Sequence, residues 1–256
     1  TGENYTQTVA ERVALAQFVQ ARINRRCPFV VGTGAMLTDE SLALATAARE
    51  MKADAILLAS PPYAVPTDRE NALNALAIDK AANLPVMLYN YPHRTGTFMG
   101  PEFLDRVGRS RNFCGIKESS GDINQLHLLA RDYPHIQLGC GMDDQALEFF
   151  AWGAPFWVCG GSNFLPDEHI ALYDACVGRG DFATGRRIMS AMLPLMRVLE
   201  QGGKFIQTIK YGVTLNGIEA GAMRRPLTAL NKDEKRNLEQ VVRVLKTTIA
   251  AITAEA

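Results

Sequence analysis

The sequence has no excess of charge of either sign. Its 256 residues include 27 Lys and Arg and 27 Asp and Glu, which gives a formal net charge of +0 at pH 7. A chain without net positive charge has no long-range attraction for a polyanion or for an anionic membrane surface. The composition therefore argues against nucleic acid and membranes as partners.

Cysteine is sparse, and its arrangement excludes two further classes of protein. The cysteines are odd in number, scattered and without a Cys-x-x-Cys pair: Cys27, Cys114, Cys140, Cys159 and Cys176. This pattern argues against both a disulfide framework and a zinc knuckle. No apolar run reaches the roughly 18 residues that span a bilayer, and no basic segment with an apolar core opens the chain. We therefore expect a soluble cytoplasmic protein.

Motifs for cofactors and metals are also missing. Gly32-Thr33-Gly34 lacks the third glycine of a dinucleotide-binding loop and the acidic residue about 20 positions later. The histidines lie at no metal-ligand spacing, and we interpret them as surface groups: His93, His127, His135 and His169. No metal ion and no organic cofactor is expected.

Short apolar segments alternate with amphipathic segments along most of the chain. Continuous apolar runs are typical of parallel strands that helices cover on both faces. Strands are predicted at 28–32, 55–59, 85–89, 113–117, 136–139 and 156–160. Helices are predicted at 8–26, 38–51, 68–82, 101–107, 123–131 and 144–152, and then at 167–177, 182–199, 204–215 and 232–253. Met189, Met192 and Met196 have helical spacing and are predicted to lie in the core.

One of the predicted strands ends in a lysine. The apolar run 113–117 ends at Lys117, and Ser-Ser-Gly-Asp at 119–122 supplies turn and helix-start signals after it. The two-residue period of a strand directs Lys117 to one face and Glu118 to the other. A lysine amine among apolar walls has a lowered pKa and can form a Schiff base with a ketone. A strand-end lysine in solvent is the alternative.

The segments around this lysine resemble a known enzyme family. VMLYNYPHRTGTFMGPEFL at 86–104, followed by GIKESSGD at 115–122, is similar to the dihydrodipicolinate synthase and N-acetylneuraminate lyase family. Weaker matches are Thr-Gly-Glu at 1–3, Gly-Thr-Gly-Ala at 32–35, Pro-Tyr at 62–63, Gly-Met-Asp-Asp at 141–144 and GAMRRPL at 221–227. The resemblance therefore covers nearly the whole chain.

The resemblance implies a fold, an activity and an assembly. The fold is an α/β (β/α)8 TIM barrel with its active site at the carboxyl ends of the strands. The activity is that of a Schiff-base-forming lyase or aldolase acting on pyruvate or a related 2-oxo acid, in a homodimer or homotetramer. Dehydration or cleavage of a 2-oxo-3-deoxy sugar acid is the nearest enzymatic alternative. A non-catalytic barrel that binds an oxo acid is the alternative from another class.

The resemblance also assigns roles to individual residues. Lys117 matches the Schiff-base lysine, Tyr89 matches the tyrosine that moves protons to and from the imine, and Tyr63 matches a relay tyrosine that reaches across a dimer interface. Substrate contacts are expected from Thr1, Gly2, Arg94, Val158, Gly141 and Asp143.

These contacts differ in kind. Thr1 and Gly2 match a loop that holds the substrate carboxylate through backbone N–H groups. Arg94 matches the residue that binds the carboxylate of a second substrate. Val158 matches a position whose backbone carbonyl faces the oxo acid. Asp143 and Asp144 follow a strand where lyases keep sugar-binding acids, and a helix N-cap is the alternative.

Two positions depart from the synthase pattern. Pro62 stands where many synthases carry a second tyrosine, and Met142 interrupts what is often Gly-Asp-Asp. Both departures weaken the prediction of lysine-pathway synthesis in particular. They leave the prediction of Schiff-base chemistry unchanged.

The number of predicted strands falls short of a closed barrel. Six are predicted, whereas a barrel of this type has eight. Thr-Gly-Glu follows the second strand in the resembling family, so strand 1, helix 1 and strand 2, together roughly 45 residues, are expected to be absent from this chain. We expect 1–165 to form a partial (β/α)8 barrel with strands 3–8. We expect 166–256 to hold the final barrel helix and a C-terminal helical extension.

Overall fold

A computed structural model of the chain describes residues 2–255, in two compact units. One unit comprises residues 7–139, and the other comprises residues 2–6 together with residues 140–255. Among the described residues, no helix combines the length and the apolar character that a membrane span requires. The domain boundary predicted at 165/166 differs from the division at 139/140, and it stays a prediction.

The unit of residues 7–139 alternates strands with helices. Its strands are β1 (Val30–Gly32), β2 (Ala55–Ala59), β3 (Val86–Asn90), β4 (Phe113–Glu118) and β5 (Gln137–Cys140), whose last residue begins the other unit. Its helices are α1 (Val9–Ile23), α2 (Thr38–Glu50), α3 (Asp68–Ala82), α4 (Pro92–Thr95), α5 (Pro101–Val107) and α6 (Ile123–Asp132).

The strands of this unit are parallel and apolar. β1 pairs with β2, β2 with β3, and β3 with β4, all in parallel. Side chains such as Ile56, Leu88 and Ile116 are fully buried, which explains why the strands read as continuous apolar runs. The helices begin where the sequence predicts, because Thr8 and Thr67 form capping boxes and Asp122 caps α6.

The other unit is mostly helical. It contains β6 (Phe156–Trp157), α7 (Ala146–Ala151), α8 (Pro166–Tyr173), α9 (Phe182–Met196), α10 (Phe205–Thr214) and α11 (Lys232–Ala254). Short 3₁₀ segments lie at Asn4–Thr6, Asp143–Gln145 and Gly161–Asn163, and π turns at Asp174–Gly178 and Arg197–Gln201 extend α8 and α9. α9 packs on α7, α8 and α11. Its methionines Met189, Met192 and Met196 are buried in this core, as predicted.

The sheet runs in the order β1-β2-β3-β4-β5-β6. The α/β class is therefore confirmed, with six strands among the described residues. The predicted closure into eight strands stays a prediction. Two strands are shorter than predicted: β1 begins at residue 30 and not at 28, and β6 ends at Trp157. Beyond Trp157, the Val158 N–H still donates to the Cys140 carbonyl, but the Gly160 N–H donates to Asp143.

Candidate active site

The carboxyl ends of β3 and β4 bring Lys117 and Tyr89 together. The two residues are direct partners in the parallel register, so their side chains lie on the same face of the sheet. The Lys117 Nζ lies 4.3 Å from the centroid of the Tyr89 ring. Both side chains are half-buried. An amine that can attack a carbonyl thus lies beside a phenol that can carry a proton, as the sequence predicts.

Two more aromatic residues extend this cluster. The Tyr89 ring stacks on the Tyr91 ring, with centroids 5.5 Å apart, and Tyr91 meets His93 edge-on at 6.3 Å. His93 Nε2 lies 3.1 Å from the Ser120 carbonyl oxygen, which ties the segment after β3 to the segment after β4. Tyr91 and His93 were not predicted as members of the site. Their two-residue spacing from Tyr89 was the signal that could have found them.

A buried polar pair occupies the opposite face of the same two strand ends. Asn90 and Glu118 are 0% and 1% exposed, and they are register partners one step beyond Tyr89 and Lys117. The Asn90 Nδ2 donates to Glu118 Oε2 at 2.7 Å, and the Ser120 N–H donates to Oε1 at 2.6 Å. Burial raises the pKa of Glu118 above its usual 4.5, and the hydrogen bonds from Ser120 and Asn90 oppose that rise. Strand alternation predicted the face of Glu118 but gave it no role.

The other predicted site residues of this unit are exposed. Tyr63 lies in the loop after β2 with φ +70° and is 90% exposed. Arg94 is exposed on α4, a short helix that begins at Pro92 and ends at Gly96 with φ +72°. Pro92 and Gly96 are typical of helix starts and ends, but so short a helix has no periodic pattern, and it was not predicted. The roles of Tyr63 and Arg94 stay predictions.

The predicted carboxylate loop lies in the other unit. Thr1 lies outside the described residues, and Gly2 is exposed with φ +26°. The neighbouring Glu3 accepts hydrogen bonds from Lys210 Nζ at 2.9 Å and from the Arg224 N–H at 3.0 Å. Burial of Glu3 acts to raise its pKa, but the hydrogen bonds from Arg224 and Lys210 outweigh it and lower the pKa below 4.5. Glu3 therefore anchors this loop as a carboxylate.

Asp143 has partners within its own unit. It is 2% exposed, its Oδ1 accepts from Trp157 Nε1 at 3.0 Å, and its Oδ2 accepts from the Gly160 N–H at 3.0 Å. Gly141 is half-buried, and Val158 is exposed just after β6. Asp143 thus holds the segment after β6, and its contact with substrate stays a prediction.

The interpretation of His169 as a surface group is wrong. The side chain is 3% exposed, its Nδ1 lies 2.7 Å from the Leu165 carbonyl oxygen, and its ring packs against Trp157. Burial lowers its pKa from 6.5 to about 4, although the hydrogen bond to Leu165 opposes the shift. The interpretation failed because metal-ligand spacing does not show which face of α8 a histidine occupies.

Comparison with known proteins identifies the family. A sequence profile of the Dihydrodipicolinate synthetase family matches residues 1–245. The 4-hydroxy-tetrahydrodipicolinate synthase of Bacillus velezensis is 31% identical over 243 residues, which are 94% of this chain and 83% of that protein. The solved 4-hydroxy-tetrahydrodipicolinate synthase of Methylacidiphilum fumariolicum SolV has a TM-score of 0.93 at 26% identity, over 99% of this chain and 84% of that chain.

A second solved relative carries a ligand. YagE of Escherichia coli K12, a prophage protein of the dihydrodipicolinic acid synthase family, was solved in complex with pyruvate. It has a TM-score of 0.87 at 27% identity and covers 96% of this chain and 84% of that chain. The profile match over nearly the whole length, together with these relatives, establishes that the chain belongs to the dihydrodipicolinate synthetase family.

Proposed function

We propose that the chain is a lyase or aldolase that forms a Schiff base with pyruvate or a related 2-oxo acid. The observation that carries the proposal is the Lys117 amine lying 4.3 Å from the centroid of the Tyr89 ring at the ends of β3 and β4. Among named activities, 4-hydroxy-tetrahydrodipicolinate synthase is the nearest, since relatives carry that name. The pyruvate bound in the E. coli relative supports pyruvate as the first substrate.

The chemistry begins at the amine. Neutral Lys117 attacks the keto carbon, and the keto oxygen leaves as water once it has received two protons, so that a C=N bond replaces C=O. The protonated imine then accepts the electron pair of an adjacent bond as that bond breaks, or stabilises the carbanion that attacks an aldehyde. Tyr89 supplies and recovers the protons, a task that suits a positioned phenol in hydrogen-bond contact.

The substrate contacts belong to the same proposal. Gly2, with Thr1 before it, binds the first carboxylate through backbone N–H groups. Arg94 binds a carboxylate on the second substrate through two parallel hydrogen bonds. Gly141, Asp143 and the Val158 carbonyl border the bound oxo acid. The parallel strand order supports a (β/α)8 barrel with a C-terminal helical extension, and the exposed Tyr63 supports a homodimer or homotetramer in which it serves the partner's site.

No observation favours the alternatives over this proposal. A 2-oxo-3-deoxy sugar acid would call on Asp143 to bind hydroxyl groups, which would share its oxygens with Trp157 Nε1 and the Gly160 N–H. A barrel that only binds an oxo acid needs no amine beside a phenol.

The test is borohydride reduction in the presence of pyruvate. We expect the protein mass to rise by one reduced pyruvate adduct per chain, and peptide mapping to locate it on Lys117. Lys117→Ala should abolish the adduct, and Lys80→Ala, which removes an exposed lysine on α3 in the same unit, should leave it unchanged. An unchanged mass in the unaltered protein, or an adduct that persists in Lys117→Ala, would contradict the proposal.

A further inference from the structure

The ends of β3 and β4 carry two side-chain pairs in successive register positions. Tyr89 and Lys117 form the first pair on one face, and Asn90 and Glu118 form the second pair on the other face. Both strands end at the second pair, so the regular ladder gives no further support beyond it. The Ser119 N–H donates to the Asn90 carbonyl at 2.8 Å and is the last backbone bond across this gap. The relative position of the amine and the phenol therefore depends on what holds the second pair.

Glu118 acts purely as an acceptor. Its two carboxylate oxygens each take one N–H donor, from Ser120 and from the Asn90 side chain. A protonated carboxyl would carry a hydrogen on one oxygen, which weakens that oxygen as an acceptor. The two N–H donors therefore favour the ionised form, against the burial that raises the pKa of this 1% exposed side chain. A buried carboxylate held by two N–H donors is a strong fixing point.

The orientation of the Asn90 amide is also determined. Its Nδ2 donates to Glu118, and its Oδ1 accepts the Met99 N–H at 3.0 Å. Turning the amide over would set its NH₂ against the Met99 N–H and its oxygen against the Glu118 carboxylate. Met99 is in turn held by Gln125 of α6, which donates to its carbonyl at 3.1 Å. The pair therefore joins both strand ends to the segment before α5.

We propose that Glu118 and Asn90 are positioning residues, which hold the ends of β3 and β4 so that the Lys117 amine stays against the Tyr89 ring. The inference rests on the proposed function, since it assigns these residues to the imine-forming step at Lys117. Neither side chain touches the substrate, because both lie buried on the opposite face of the strands.

A reciprocal exchange of the two side chains tests this role. In Glu118→Gln, the amide oxygen of the new glutamine accepts from the Ser120 N–H, and its NH₂ then faces the Asn90 NH₂. If the Asn90 amide turns over to relieve this conflict, its NH₂ faces the Met99 N–H instead. In Asn90→Asp, two carboxylates face each other in a buried site. The double variant combines Asn90→Asp with Glu118→Gln. In it, the glutamine NH₂ donates to the aspartate, which reverses the direction of the original hydrogen bond. The Ser120 N–H then donates to the glutamine oxygen, and the Met99 N–H donates to the second aspartate oxygen.

The readout is the rate of pyruvate-dependent trapping at Lys117, measured well below the unfolding temperature of each variant. We expect each single variant to trap roughly 10 to 100-fold more slowly, since displacement of a reacting group by about 1 Å costs rates of this order. The double variant should recover most of the rate of the unaltered protein. Thermal unfolding of all four proteins is recorded in parallel.

The pH dependence separates positioning from a loss of stability alone. Two facing carboxylates share a proton at lowered pH. Once the new aspartate of Asn90→Asp is protonated, its O–H would donate to Glu118 and its other oxygen would accept from the Met99 N–H, so that it makes the same two bonds as the asparagine. The trapping rate of Asn90→Asp, relative to the unaltered protein at the same pH, should therefore rise as the pH falls. The relative rate of Glu118→Gln should show no such recovery.

A matched control uses the other end of β4. The Asn112 side chain, just before β4, donates to the buried Asp79 carboxylate of α3 at 2.7 Å, which is the same chemistry away from Lys117. Asn112→Asp, which sets two carboxylates against each other as Asn90→Asp does, should lower the unfolding temperature and leave the trapping rate unchanged. An equal loss of rate in this control would show that any buried amide–carboxylate bond matters equally, and it would overturn the proposal.

The remaining outcomes also decide the question. If the unaltered protein forms no adduct, the proposed function fails and the inference fails with it. If it forms the adduct and either single variant traps at the same rate, the inference alone fails. If a single variant does not fold, the double variant decides: normal trapping supports the exchange of roles, whereas slow trapping or failure to fold overturns it.

Discussion

His169 is a buried base without room for a second partner. Its Nδ1 donates to the Leu165 carbonyl at 2.7 Å, which leaves the lone pair on Nε2. Nε2 has no hydrogen-bond partner among the described residues, and a Cβ added at Gly161 would lie 2.6 Å from it. Protonation would therefore create a buried charge with no group to stabilise it.

This environment predicts acid sensitivity of the unit of residues 140–255. The pKa of His169 is lowered from 6.5 to about 4, so its stabilising contribution is complete above about pH 6.5 and is lost as the pH falls toward 4. At about 1.4 kcal/mol per pKa unit, the full loss is about 3 kcal/mol. We expect His169→Asn, which places an amide nitrogen near the position of Nδ1, to remove this slope.

The measurement is urea unfolding between pH 7 and pH 4, with the range set by the two pKa values. Intrinsic fluorescence reports this unit, because both tryptophans, Trp152 and Trp157, belong to it. His135→Asn, which alters an exposed histidine, should keep the slope of the unaltered protein. Identical slopes in His169→Asn and the unaltered protein would show that His169 does not titrate in this range.

Among the helices, α10 packs against Phe164 through Gly212, a residue without a side chain. A Cβ on Gly212 would lie 2.6 Å from Cγ of Phe164, well inside van der Waals contact. Phe164 is 1% exposed, and its carbonyl oxygen accepts from the Asn216 side chain at 2.7 Å, so neither its ring nor its backbone can move away easily. The close approach of α10 to Phe164 therefore requires glycine.

Gly212→Ala tests this packing, because two effects oppose each other. Alanine improves the helix by about 1 kcal/mol, but overpacking a buried contact costs about 1 to 3 kcal/mol. We expect net destabilisation of up to about 2 kcal/mol in urea unfolding followed by tryptophan fluorescence.

A second background provides the control for this contact. In Phe164→Leu, the same Gly212→Ala change should cost less, or should stabilise, because the planar ring is gone. Equal effects in the two backgrounds would mean that Phe164 does not restrict α10.

Elements differ in how well the sequence predicts them. β2, α3 and α5 have the predicted bounds, because apolar periodicity and capping residues act locally. β6 was overestimated, because its end depends on the Asp143 carboxylate, which takes the Gly160 N–H out of the ladder. The π turns that extend α8 and α9 were predicted as continuous helix, since the 3.6-residue pattern does not distinguish them.

At the scale of the whole chain, the centre of the site was predictable and its support was not. Lys117 and Tyr89 followed from strand alternation and from a motif, and the structure confirms that they meet. The bonds of Glu118 with Asn90 and of Glu3 with Lys210 were missed, because they join residues far apart in sequence and depend on side-chain orientation. Sequence patterns therefore indicate which residues are proposed to react, while the atoms that hold them require coordinates.

Tyr63 links the proposed site to the proposed assembly. A phenol that is 90% exposed on one chain can act in a relay only if another surface covers it, and the proposed homodimer supplies that surface. Suppose that Tyr63 serves the partner's site. A Lys117→Ala chain then lacks the amine but still supplies Tyr63 to its partner. A Tyr63→Phe chain keeps the amine but supplies no relay tyrosine. Each site of a Tyr63→Phe chain is then complete when its partner is a Lys117→Ala chain.

Mixing the two variants in equal amounts should therefore restore trapping. At random pairing, about half of the Tyr63→Phe chains sit beside a Lys117→Ala chain and should react with pyruvate and borohydride at the rate of the unaltered protein. Intact mass resolves the signal, because only the Tyr63→Phe chain carries Lys117. Native mass spectrometry checks that the chains have exchanged. A single slow phase in an exchanged mixture would place Tyr63 in its own chain's site or outside the mechanism. A fast phase for about half of the Tyr63→Phe chains requires the relay to cross the interface.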